Sequence, residues 1–285
     1  MSLQLPAGRR PPALDPAARL RLPVRWGPVI EAPVDGQRTE AGSCYHTAVW
    51  PLDPRQTALV LVDVWDWHGI RSHLERAQQI LQDRIAPVVQ AARRAGITVV
   101  YAPSPEVAVL YPQSRAYAAG HRLRRWRERW AARVASATRW LDWPPRSFRG
   151  RRDAYAMFAR TPAPRWPETR PALRIPACIE PEPDDPVIFS GADLRRVARR
   201  RRILHLLYAG FAANRCLDHA RDYSMAAMRR LGYNLILLRD CTTGIETAET
   251  VEGLFATTVA IQEIEQSDAS TTSDDLLRAC ACLGE

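Results

Sequence analysis

Two side chains of this protein stand where a fold can do chemistry, a thiol and a carboxylate far apart in sequence. Cys216 follows Leu206-Leu207-Tyr208-Ala209-Gly210-Phe211-Ala212-Ala213-Asn214-Arg215, an apolar strand ending in a turn of glycine and small residues, and it sits where the next helix begins. In α/β folds ligands bind in the crevice at the carboxyl ends of parallel strands. A thiol at a helix N-terminus also has its thiolate favoured by the helix dipole and the free backbone N–H groups. The carboxylate is Asp63, which ends the apolar run Thr57-Ala58-Leu59-Val60-Leu61-Val62. Such a run reads as a strand buried on both faces, so its terminal acid is poorly hydrated and its pKa is expected to rise toward the range of a general base. A nucleophile with a base to activate it is the minimum for acyl transfer through a thiol.

Other candidates surround this pair. Trp65, Asp66 and His68 follow Asp63 directly, and Phe211 lies in the cysteine turn, so all four are expected to line a substrate pocket. Asp66-Trp67-His68 has an Asp-x-His spacing, but two ligands are too few for zinc or iron, so neither a metal nor any other cofactor is expected. Glu246, after the strand that ends at Asp240, is either a substrate-binding or proton-handling group or an acid capping the next helix. His219 is one helical turn beyond Cys216 and is either a neighbour of the thiolate or an ordinary half-buried histidine.

The elements that must position these groups alternate. Strand, helix and strand are expected over residues 55–103, with the helix from His73 to Ala95 and Gly96 as its C-cap. Further strand–helix units occupy residues 186–265: a helix from Asp218 to Leu231, a strand at 235–240 and an amphipathic helix from Val251 to Gln266. A short strand or turn at Ala269-Ser270-Thr271-Thr272 then precedes a terminal helix. This alternation implies an α/β fold, a doubly wound and mostly parallel sheet flanked by helices in a Rossmann-like three-layer arrangement. Residues 1–54, with prolines at 6, 11, 12, 16, 23, 28 and 33, read as an irregular N-terminal extension to a domain at 55–285. An insertion is placed at about 104–185, helical around Ala116–Trp140.

These residues resemble the isochorismatase-like cysteine hydrolase family. Its pattern is an early apolar strand ending in Asp, a later Gly-apolar-Ala-Thr-Asn-x-Cys-Val turn, a helix, a Gly-Tyr pair and an apolar strand ending in Asp. The counterparts here are Asp63, Gly210 to Leu217, Gly232-Tyr233 and Leu235 to Asp240. The resemblance implies a hydrolase of small amides or related C–N bonds, with Cys216 as nucleophile and Asp63 as proton acceptor. It also implies an oxyanion hole from the backbone N–H groups of Ala212 and Cys216, with a cis peptide at Phe211–Ala212. The family's third catalytic residue is a lysine upstream of the cysteine. This chain has no lysine; the matching segment is the acidic Pro183-Asp184-Asp185-Pro186. The departure opens an alternative, a catalytically silent ligand-binding or scaffold protein on the same fold.

The chain has 285 residues, 46% of them hydrophobic, enough for a full core, and carries a net charge of +9. Arginines concentrate at 121–130, 146–152 and 195–202. Without an RNA-binding or helix-turn-helix signature they read as solvated helix faces in an arginine-rich composition, and no nucleic-acid partner is expected. No apolar run reaches the length of a membrane span, and six irregularly spaced cysteines do not form a disulfide framework. The expectation is therefore a cytoplasmic protein with a small-molecule substrate and no membrane partner, forming a homodimer or higher homo-oligomer.

Overall fold

The computed structural model describes residues 19–30, 40–138 and 171–283. Its centre is a seven-stranded sheet in the order β2-β1-β7-β6-β5-β3-β4. The strands are β1 (Leu20–Ile30), β2 (Ser43–Leu52), β3 (Thr57–Val62), β4 (Thr98–Ala102), β5 (His205–Gly210), β6 (Asn234–Leu238) and β7 (Ala269–Thr271). From β4 to β7 across the sheet every pairing is parallel, whereas β1 runs antiparallel to both β7 and β2. The central strands are apolar because helices flank the sheet. Leu59, Val60 and Val62 of β3 and Leu206, Leu207 and Tyr208 of β5 are completely buried. Burial of each such aliphatic side chain stabilises the fold by about 1.5–3 kcal/mol.

The topology fixes where a ligand can go. From β3 the chain moves outward to β4, then returns across β3 to pair β5 on its other side. Strand order therefore reverses between β3 and β5, and the crevice at their carboxyl ends is the switch point at which doubly wound sheets bind ligands. Asp63 terminates one of these strands, and the turn to Cys216 leaves the other.

Several sequence expectations need correction. Residues 1–54 are not all irregular, since β1 and β2 form an antiparallel hairpin that extends the sheet. The signal was a period of two in β1: Leu20, Leu22 and Val24 are buried while Arg21, Pro23 and Arg25 face the other way. Its prolines masked it. Pro23 is tolerated because β1 meets β7 at a single paired position, Arg25 with Ser270, so a missing N–H costs little of that ladder. A register shift between Trp26 and Val29 accommodates Gly27 and the cis Pro28.

The expected 73–95 helix is Arg71–Ile80 followed by a π-helical turn, Leu81–Ile85, and Ala86–Arg94. Pro87 explains the widened turn, since it has no N–H to donate back along the helix. Gly96 ends this segment with φ +73°, as expected of its cap position. The last helices are Phe255–Glu265 and Ser273–Ala281, either side of β7.

The chain divides into two compact units, Met1–Arg115 with Leu173–Glu285, and Ala116–Ala172. The independent part is thus narrower than the expected insertion at 104–185. In it the helix Arg115–Thr138 matches the expected Ala116–Trp140, and it exposes Leu123, Trp126 and Trp130 on one face. The arginines at 146–152 lie outside the described residues. Among the described residues no helix is long and apolar enough to cross a membrane.

Candidate active site

Asp63 is the first residue beyond β3 and adopts φ +45°, in the left-handed region. Asp tolerates that region better than most residues, and the bend is held by the Asp63 N–H donating to the Ala102 carbonyl at 3.2 Å. The side chain is only 2% exposed.

The Cys216 turn is built against the end of β3. Gly210 sits opposite Val62 with φ +121°, and a Cβ there would lie 2.1 Å from the Val62 carbonyl oxygen, so only glycine fits. The Phe211 N–H donates to that same oxygen at 2.9 Å, and the Ala213 N–H donates to Thr243 O at 3.1 Å. The Phe211–Ala212 peptide is cis, as the resemblance implies. The Ala212 carbonyl accepts from the N–H groups of Arg215 and Leu217, and none of these turn bonds uses the Ala212 N–H. Asn214 locks the turn to the neighbouring loop by exchanging two 3.0 Å hydrogen bonds with the Ile245 backbone.

Cys216 lies in a π-helical segment, Ala213–Ala220, and is partly exposed. The expectation of one helix from Asp218 to Leu231 fails here. The segment stops at Arg221, which is extended (φ −114°, ψ 152°), and a separate helix starts after the Ser224 cap at Met225–Arg229. That break aims Arg221 at the site. Its Nε and Nη2 donate to a single oxygen of Asp63, Oδ2, at 3.0 and 2.7 Å. Flanking residues hold the break in place. The buried Tyr223 donates its hydroxyl to Pro103 O at 3.2 Å, and its carbonyl accepts from Tyr208 Oη at 2.8 Å. Gly191 admits the Asp222 backbone so closely that a Cβ would lie 1.9 Å from the Asp222 carbonyl oxygen.

The structure thus brings Asp63 and Cys216 together and adds Arg221. Burial raises the Asp63 pKa, as expected, and the Arg221 charge opposes that rise. Asp63 Oδ1 is buried and takes no hydrogen bond of regular geometry, which leaves it free to receive a proton. The thiol behaves opposite to the helix-dipole expectation. Burial, then the charge of Asp63 and a side-chain interaction with it, push Cys216 up to about 12. A short, widened helical segment does not outweigh an anionic carboxylate beside a half-buried sulfur. Burial alone would lower the Arg221 pKa, but the facing Asp63 raises it, so the guanidinium stays charged.

The other candidates divide. Phe211 is buried and meets His73 edge to face at 6.1 Å, and His73 in turn meets His68 at 4.7 Å. His73 Nδ1 lies 3.1 Å from the Gly244 carbonyl, and burial lowers its pKa to about 4, so it is a neutral donor. His68 Nδ1 accepts from the Ile70 N–H at 3.1 Å. Trp65 keeps a buried indole N–H without a partner.

Asp66 and Glu246 are drawn off to loops. Asp66 Oδ1 accepts from the Arg174 N–H at 2.9 Å, and its own N–H donates to Arg174 O at 3.0 Å. Glu246 takes the capping alternative. Its two oxygens accept from the N–H groups of Ala256 and Thr257 at 3.0 and 2.9 Å, and from Thr257 Oγ1 at 2.6 Å. His219 is mostly exposed, with Nδ1 3.2 Å from Asp218 Oδ2. The acidic segment at the place of the family's lysine turns elsewhere, since Asp185 pairs with Arg93. Among the described residues no group of three or more His, Cys, Asp or Glu gathers as a metal site.

Among proteins of curated function none matches this sequence. Solved structures do. A cysteine hydrolase from Pseudomonas syringae pv. phaseolicola 1448A aligns at 18% identity over 82% of this chain and 96% of its own, with a TM-score of 0.52. An N-carbamoylsarcosine amidase from Thermoplasma acidophilum aligns at 15% identity over 77% of this chain and 97% of its own, with a TM-score of 0.43. An octameric hydrolase of unknown specificity from Escherichia coli aligns at 12% identity over 81% and 88%, with a TM-score of 0.41. The first of these likenesses supports the fold. The isochorismatase domain model matches residues 57–266, a span that opens on β3 and takes in Asp63, the Cys216 turn and the closing strand β6, and on that match the chain belongs to the isochorismatase family of hydrolases.

Proposed function

We propose that this protein hydrolyses a small amide or related C–N bond through a thioester on Cys216. The observation that carries this reading is the Asp63 carboxylate, buried at the switch point, bound on one oxygen by Arg221 and interacting with the Cys216 thiol. With the thiol protonated at rest, proton loss accompanies attack. The Cys216 sulfur adds to the substrate carbonyl carbon as Asp63 takes the S–H proton, and the C=O electron pair becomes an oxyanion. The Ala212 and Cys216 amides receive that charge, each donor lowering the barrier by about 3 kcal/mol. Collapse breaks the C–N bond, and Asp63 returns its proton to the departing amine. Water then attacks the thioester with Asp63 again as base, releasing the acid and restoring the thiol.

Arg221 moves no proton in this sequence, since its guanidinium stays charged throughout. It fixes the carboxylate and stabilises its anionic form. Asp63 therefore serves alone as base and acid. Trp65, with its spare N–H, and His68 and Phe211 are the proposed substrate contacts; Asp66 and Glu246 support the loops beside them.

The test is acid quenching of the protein during reaction with a panel of aliphatic and aromatic carboxamides, followed by intact-mass and peptide analysis. An acyl group on Cys216, absent from Cys216→Ala, is the expected result. Acid release undiminished by Cys216→Ala would overturn the reading.

A further inference from the structure

We propose that the groove between the β1–β2 hairpin and the end of β6 is a second ligand site, which binds a small oxyanion through Arg239 and Arg25. The site is separate from the Cys216 turn and does not rest on the activity proposed above. The groove holds about 480 Å³ and is lined by Pro23, Val24, Arg25, Thr47, Ala48, Val49, Arg239 and Asp275. Such a volume suits a small organic molecule.

Several part-buried arginines face a carboxylate: Arg93 faces Asp185, Arg221 faces Asp63 and Arg229 faces Asp268. Arg239 departs from that pattern, as does Arg76, whose Nε donates to Thr243 Oγ1 at 3.4 Å. The Arg239 side-chain hydrogen bond is to a neutral hydroxyl, Nη1 to Ser270 Oγ at 3.2 Å. The carboxylates around it are occupied by other donors. Glu265 accepts from Arg25 Nε at 2.8 Å, from Arg25 Nη2 at 3.3 Å and from Ser270 Oγ. Asp240 accepts from the Ser273 N–H at 2.8 Å and its hydroxyl at 2.6 Å. Asp275, on the groove wall, accepts from Thr272 Oγ1 and Arg278 Nη2, both at 2.6 Å.

Arg239 also lies beside a like charge. Its pKa is lowered, by burial first and by Arg25 second, and the charges of Glu265, Asp240 and Asp275 oppose the fall without cancelling it, whereas that of Arg221 is raised by its acid. A half-buried cation with no carboxylate among its hydrogen-bond partners is incompletely compensated, and an oxyanion would supply that partner. Arg25 offers a second guanidinium: Nε and Nη2 hold Glu265, Tyr45 stacks on one face at 4.4 Å, and Nη1 takes no part in the Glu265 contact. Two forked cations side by side suit a carboxylate or phosphate head. Pro23 and Val49, directly paired across the hairpin on the same face as Arg25, supply an apolar wall for a short tail.

The experiment titrates hexanoate and inorganic phosphate into the full-length protein at fixed ionic strength, followed by calorimetry. One Arg239-dependent site is expected, weakened at least about tenfold in Arg239→Ala, the loss that follows from removing a charged hydrogen bond. Tighter binding of hexanoate identifies an organic carboxylate as the ligand class, and tighter binding of phosphate identifies a phosphate head. Val49→Glu, at a half-exposed position on the wall, places a negative charge in the groove without removing a structural arginine and is expected to abolish binding. Equal affinity of the parent and both variants, or no binding by the parent at millimolar ligand, would overturn the proposal.

Discussion

Asp63→Asn is expected to lower kcat/KM by about 10³-fold, within the range by which positioned acid–base groups accelerate reactions, and this equals about 4 kcal/mol of barrier. The loss should fall on kcat, because the amide keeps the size of the carboxylate and the substrate contacts proposed at Trp65 and Phe211 are untouched. Asn cannot take the thiol proton as sulfur attacks, and it cannot return a proton to the amine. Both half-reactions of the proposed cycle use the same acid, so both should slow. Steady-state kinetics on any amide found to be turned over would check this. A variant with unchanged kcat would remove Asp63 from the proton path.

Arg221→Ala should destabilise the fold as well as the activity. It strands a carboxylate that is 2% exposed, and breaking a buried pair from one side costs about 3–5 kcal/mol. In a chain of this size that corresponds to a fall in Tm of roughly 10 °C. The pH dependence identifies the cause. Burial already raises the Asp63 pKa above its usual 3.8 with Arg221 present, and without Arg221 it must rise further. A raised native pKa means that the native state binds more protons than the unfolded state above pH 3.8, so stability falls as pH increases through that window. The deficit of Arg221→Ala relative to the parent should therefore be large at neutral pH and shrink in acid. Thermal melts from pH 4 to 8 would show it. Arg221→Lys should recover part of the stability, as one compact charge can replace the two-toothed contact only in part. A deficit independent of pH would mean that Arg221 acts through packing and not through Asp63.

How far the sequence disclosed this arrangement can be judged residue by residue. The strands ending at Asp63 and Gly210 were legible because strands buried on both faces carry unbroken apolar runs. Their convergence followed from the α/β alternation. The β1–β2 hairpin was not legible, because arginines and prolines occupy the outward positions of β1 and break the apolar signal while the inward Leu20, Leu22 and Val24 keep it. Arg221 was missed for a different reason. The residues from Asp218 to Leu231 are compatible with one helix, and no local propensity marks the break. The available signal was Ser224, whose hydroxyl accepts from the Ala227 N–H at 3.4 Å as a helix cap. A cap there implies an interruption just before it, and Arg221 is the basic residue in that interruption. The fate of Glu246 was also decided beyond its own neighbourhood, by Thr257 eleven positions on.

That the cation beside Asp63 is a guanidinium has a chemical meaning. A lysine could join a proton relay, whereas an arginine can only hold and polarise. In the proposed cycle the acid and the thiol then balance the proton between themselves, each shifted by burial first and also by the other.

Titration of the Cys216 thiol measures that mutual shift directly, through the rate of iodoacetamide alkylation at this residue across the alkaline range, read by peptide mass. In the parent protein the reactivity should rise with an apparent pKa of about 12. In Asp63→Asn it should move down, since the neighbouring negative charge is gone, and stay above the ordinary thiol value of 9.0, since burial remains. Superimposable profiles for the two proteins would contradict the account, because they would mean that the sulfur does not sense the acid meant to receive its proton.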